Sequence, residues 1–169
     1  MIIEEGNLKF NFSFDAIKFD ETIYYRNHFI KIQSGLKAID ILGIKNNKNY
    51  MIEVKDYTHP DTKSMSEVKL IEDLIKKILD SLSSIYSMSL YANDVGEKEM
   101  AIKFLANKDL FLIFHIEIPP PRRGLKQALY NLSNMQLKLR NKLKSITNKT
   151  NIKVVFINNL NGLPWSVSI

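Results

Sequence analysis

Cysteine is absent from the 169 residues, which excludes disulfides, thiol catalysis and cysteine-ligated zinc. Glycine is scarce and scattered, six in all, and none sits in a phosphate-cradling loop. No apolar run approaches the length of a membrane span. The start, Met1-Ile-Ile-Glu-Glu5, lacks the basic residues of a secretion signal, so the expected location is the cytoplasm, with no membrane partner. No serine-nucleophile arrangement stands out, and His28, His59 and His115 have no zinc-like spacing. His115, inside an apolar run, is expected to be a hydrogen-bonded core histidine.

Acidic residues stop at Glu117. Beyond it lie nine positive charges, Arg122, Arg123, Lys126, Lys138, Arg140, Lys142, Lys144, Lys149 and Lys153, whereas the first 117 residues carry a balance of −3. A basic C-terminal part within a chain of net charge +6 suits a protein that meets phosphate backbones. Arg122, Arg123, Lys126, Arg140 and Lys144 are the candidate nucleic-acid contacts. Arg122 and Arg123 follow three prolines near an expected helix start, where the helix dipole disfavours cations and an external anion would relieve them. A solvated, lysine-rich helix face is the plainer alternative.

What is present centres on two apolar runs, Leu36–Ile44 and Tyr50–Tyr57, separated by Lys45-Asn46-Asn47-Lys48-Asn49. This pattern predicts a β-hairpin with a tight turn at Asn46-Asn47, since asparagine tolerates positive φ. In that register Lys45 faces Lys48, and counting back sets Asp40 opposite Glu53. Alternation puts Lys55 on the face of Glu53. Ala38, Leu42 and Met51 lie on that face too, and Ile39, Ile41, Ile52 and Val54 on the other, so both strands should be covered on both sides. Two carboxylates and an ammonium on a covered sheet are costly unless they hold a cation, and carboxylate oxygens suit Mg²⁺ or Mn²⁺. A bound cation, a water and an adjacent lysine are the parts of phosphodiester hydrolysis. The alternative is an edge hairpin with a solvated Asp40–Lys55 pair.

Asp40, thirteen residues on Glu53, then Val54 and Lys55, resembles the PD-(D/E)XK nuclease superfamily, to which many restriction endonucleases and Holliday-junction resolvases belong. The resemblance covers residues 36–57 well and the elements after them loosely. It implies metal ligation by Asp40 and Glu53 with the Val54 carbonyl, and a catalytic role for Lys55. It further implies DNA ahead of RNA as substrate, and work as a homodimer or with a partner protein. Ile39 stands where many members have proline. Members usually draw another acid from an upstream helix. That helix is not obvious here, and Asp20 and Glu21, with Asp15 behind them, are the candidates. Lys69 and Glu72 on the following helix are further candidates for the site. A second reading keeps the fold without cleavage, as a nucleic-acid-binding, regulatory or immunity domain.

Along the chain, Leu8–Phe14 alternates as a strand, 30–33 reads as a short strand, and Ser64 caps a helix running to about Ala92. Glu97–Ala106 reads as a helix, Leu110–Ile118 as a buried strand, Leu125–Leu143 as a long helix, and 152–157 and 165–169 as strands. Tyr24, Tyr25 and Arg26 are candidates to stack on or contact nucleotides, with aromatic core packing the plainer alternative, and Trp165 is expected to be a core anchor. The expectation is one nuclease-like domain over 1–169, a three-layer α/β sandwich with a central mixed sheet flanked by helices, restriction-endonuclease-like.

Overall fold

The computed structural model describes residues 1–59, 61–120, 129–160 and 162–169. It is mixed α/β, with two sheets and four α-helices among the described residues. The chain opens with the antiparallel strands β1 (Ile2–Glu5) and β2 (Leu8–Phe12). β3 (Asp15–Lys18) follows, then a 3₁₀ turn at Phe19–Glu21 and the short α1 (Ile23–Asn27). The hairpin strands are β4 (Ile41–Lys45) and β5 (Lys48–Asp56). Then come α2 (Glu67–Tyr91), α3 (Val95–Ala106), β6 (Asp109–Glu117), α4 (Leu132–Leu143), β7 (Ile152–Val155) and β8 (Trp165–Ser168).

The larger sheet runs β3-β4-β5-β6-β7. β3, β4 and β5 pair antiparallel, and β5, β6 and β7 parallel, so the sheet is mixed and β5 is its centre. Leu42, Met51, Leu112, Phe114 and Val154 face the helices, burying Leu70, Leu74, Ile78, Met100 and Leu139. Ile41, Tyr50, Ile52, Val54 and Ile113 face the other way, onto Phe10, Phe12 and Trp165. Those last residues belong to the second sheet, β1-β2-β8.

The three layers are therefore helices, the five-stranded sheet, and a three-stranded sheet. This corrects the expectation of helices on both sides. The alternating burial of β2, with Leu8, Phe10 and Phe12 inward, suits a sheet with one wet face. Trp165 anchors its far edge against the rings of Phe12 and Tyr50.

Local signals explain most boundaries. Asn46 and Asn47 take φ of 50° and 59°, the paired positive angles of a two-residue type I′ turn, and Lys45 faces Lys48 as expected. The cap of α2 is Ser66, whose side chain accepts from the Lys69 N–H, rather than Ser64. Asp94 ends the α2–α3 break by capping α3. Residues 29–31 form a 3₁₀ turn where a strand was expected over 30–33. Of the long helix expected from Leu125, residues 125–128 lie outside the described residues, and the described part starts at Leu132 behind the Asn131 cap.

Candidate functional site

Asp40 ends the segment leading into β4, and five contacts hold residue and segment from different directions. Its carbonyl accepts from the Phe19 N–H at 2.7 Å, which ties it to the 3₁₀ turn. Just before it, the Ile39 N–H donates to the buried Ser81 hydroxyl of α2 at 2.9 Å, and the Lys37 N–H donates to Asp80 at 2.9 Å. On the carboxylate, Oδ2 accepts from the Val54 N–H at 2.6 Å and Oδ1 lies 3.3 Å from the Lys77 ammonium. Ser81→Ala should therefore orphan a fully buried amide beside the site. A loss of about 1–3 kcal/mol is expected in urea denaturation, and a silent substitution would show that this tether does not hold the segment.

Glu53 is almost completely enclosed on β5, with its Oε1 bonded to Lys77 at 2.6 Å and to Lys55 at 2.8 Å. Its other oxygen, Oε2, is buried without a partner. Asp40, Glu53 and Lys55 share the helix-facing side of the sheet, as the hairpin register requires. Burial, and then the charge of Asp40, push the Glu53 carboxyl up to about 8, against the downward pull of Lys77 and Lys55. Burial works against the Lys77 ammonium, but Glu53 and Asp40 more than offset it and hold it above the ordinary lysine value.

Lys77 is the residue that sequence reasoning missed. The helix residues expected near the site, Lys69 and Glu72, are both exposed. A signal existed: Lys77 falls seven residues after Leu70 and four before Ser81, on the stripe that α2 buries. A lysine in that stripe must find anions inside, and the hairpin acids are there.

Asp20 lies on the same side of the molecule. Half buried, with Oδ1 lacking a partner, its carboxyl is raised to about 6 by burial and by the fields of Asp40 and Glu5, opposed by Lys18. A raised acid contributes stability in full below its unfolded value of about 3.8, and that contribution is lost as pH rises through about 6. Asp20→Asn should therefore stabilise the metal-free protein by about 1 kcal/mol at pH 7.5, discounted for solvent screening, and little at pH 3.5. Melting curves at both pH values check this, and an equal shift at the two would deny the coupling to Asp40.

Glu21 points elsewhere, pairing at the surface with Lys18 and Arg26. Asp15 is exposed, with Lys103 at 3.8 Å. His115 is fully buried, bonded through Nε2 to Glu117 at 2.8 Å and packed edge-on against Phe10, a core role. Tyr24 and Tyr25 are buried in the helix-side core, and Arg26 is exposed.

Among the described residues, no group of three or more His, Asp or Glu side chains surrounds a common metal position. What the site offers a cation is the Asp40–Glu53 pair, including the one orphaned oxygen. That donor set fits Mg²⁺, which takes one or two protein carboxylates and completes its shell with water and substrate phosphate. Val54 enters the site through its N–H, donated to Asp40.

Of the expected nucleic-acid contacts, Arg122, Arg123 and Lys126 lie outside the described residues. Arg140 donates from Nε to the Ile152 carbonyl at 3.0 Å, which ties α4 to β7, and Lys144 is exposed at the end of α4. Lys138 pairs with Glu67 at 2.6 Å. Among the described residues no helix is long and apolar enough to cross a membrane.

No family model and no solved structure matches the chain. A segment of the cysteine–tRNA ligase of Neisseria meningitidis is 29% identical to it over 160 residues, covering 84% of this chain but 22% of that protein.

Proposed function

We propose that the chain is a metal-dependent nuclease of the PD-(D/E)XK type, with a restriction-endonuclease-like core, hydrolysing phosphodiester bonds of DNA or RNA. The observation that carries the reading is the buried Asp40–Glu53 pair, at the entry to β4 and on β5, with Glu53 Oε2 unpartnered and Lys55 beside it. Asp40 and Glu53, with the Val54 carbonyl, would hold Mg²⁺ or Mn²⁺. When bound, the ion would lower the pKa of a water and offset charge on the phosphoryl oxygens. Lys55, partly exposed and tethered by Glu53, donates hydrogen bonds to the attacking water or the phosphate. Asp20 is the additional acid next to Asp40. Arg122, Arg123, Lys126, Arg140 and Lys144 would contact the phosphate backbone.

The test is incubation with Mg²⁺ or Mn²⁺ and duplex DNA, single-stranded DNA and tRNA. tRNA is included because the similar ligase is named for it. Cleavage that EDTA stops and Asp40→Asn abolishes is the expected result. Equal cleavage by Asp40→Asn would sink the assignment.

The second reading, a non-cleaving nuclease-like domain that binds nucleic acid or serves a regulatory or immunity role, is favoured by one observation. The Lys77 ammonium already lies between the two acids and bonds to both. Nucleic-acid binding that needs no divalent ion and yields no product would support it.

A further inference from the structure

The Lys77 ammonium lies between the carboxylates, 2.6 Å from Glu53 Oε1 and 3.3 Å from Asp40 Oδ1. Asp40 and Glu53 would hold a divalent ion through their carboxylate charge, and the ammonium already engages one oxygen of each. In the metal-free site both lysines already engage the acids, Lys55 at Glu53 and Lys77 at Glu53 and Asp40. Lys55 reaches one oxygen of Glu53 from the same strand and leaves Asp40 alone. Lys77 instead spans both acids from the opposite layer, on a flexible four-carbon stem with its side chain 14% exposed.

We propose that Lys77 is a built-in counter-ion that competes with the divalent metal, so that the metal gains the acid pair only as the ammonium withdraws. This rests on the metal-centre reading above. Lys77 is thereby a gating residue for metal loading, with no demand that it touch substrate.

The test measures Mn²⁺ affinity from the free-ion electron paramagnetic resonance signal, on wild type, Lys77→Met and Lys77→Gln, each checked for folding by circular dichroism. Tighter binding by about tenfold or more is expected in both variants, and Lys77→Met/Asp40→Asn should lose it. Wild-type binding with no gain in folded variants overturns the competition and leaves the metal centre standing. No binding by any folded form overturns both. Should neither variant fold, the ¹³Cε resonance of Lys77 is followed in wild type during Mg²⁺ titration. A shift that saturates with binding supports displacement, whereas a fixed resonance while Mg²⁺ binds refutes it.

Discussion

Glu53→Gln is expected to lower the proposed cleavage by about 10³-fold or more, equivalent to roughly 4 kcal/mol of transition-state stabilisation, without weakening the fold. The amide keeps the size and one oxygen of the carboxyl but cannot supply an anionic ligand. Stability should move the other way. The Glu53 carboxyl is raised above its unfolded value, so its contribution is complete below about pH 4.5 and lost as pH rises through about 8. Glutamine carries no such loss, so in EDTA the variant should melt at the same temperature as wild type near pH 4.5 and higher near pH 8. Activity retained within tenfold would remove Glu53 from the metal centre. A lower melting temperature at pH 8 would show that its ion pairs outweigh the cost of its burial.

Lys77→Met is expected to destabilise the metal-free protein by about 3–5 kcal/mol at neutral pH, the usual consequence of removing one side of a buried charge pair. Methionine fills the stem's volume, so packing is conserved and the loss is electrostatic. With the ammonium gone, Glu53 would keep its proton to still higher pH. The deficit should therefore hold level from pH 5 to about pH 7, where Glu53 keeps its proton with or without the lysine, and grow from there to about pH 9, as Glu53 ionises through about 8 in wild type but not in the variant. Chemical denaturation across that range, with and without Mg²⁺, measures it. A deficit independent of pH would assign the effect to packing. A recovery with Mg²⁺ larger than wild type's own gain would show that the ion takes over the charge the ammonium supplies.

The site and the fold differed in how far they could be read from residues alone. Asp40, Glu53 and Lys55 were legible because a hairpin is local: the alternation of Ile and charge, with two asparagines at the turn, sets the register over the sixteen residues from Asp40 to Lys55. The central position of β5 was legible for a similar reason, as both its faces are apolar. Lys77 was hidden because it meets Asp40 and Glu53 across 37 and 24 residues, and only the docking of α2 creates the contact. The second sheet was hidden because β2 finds one partner at each end of the chain, with β1 before it and β8 at the C-terminus. β3 escaped because its four residues, Asp15-Ala-Ile-Lys18, lie at a sheet edge and lack a two-faced apolar pattern.

Surface turns usually absorb insertions and deletions freely, since nothing depends on their length. The Asn46-Asn47 turn is an exception. One residue added or removed there would slide β4 by a single step against β5, and strand alternation would turn Asp40 toward the three-stranded sheet. Leu42 and Ile41 would exchange sides with little change in hydrophobicity, so the strands could still pair while the acids no longer met. Loop length at this exposed position is thus as much a determinant of the chemistry as the identity of the acids. A relative that differs there by one residue would be expected to have lost the site before losing the fold.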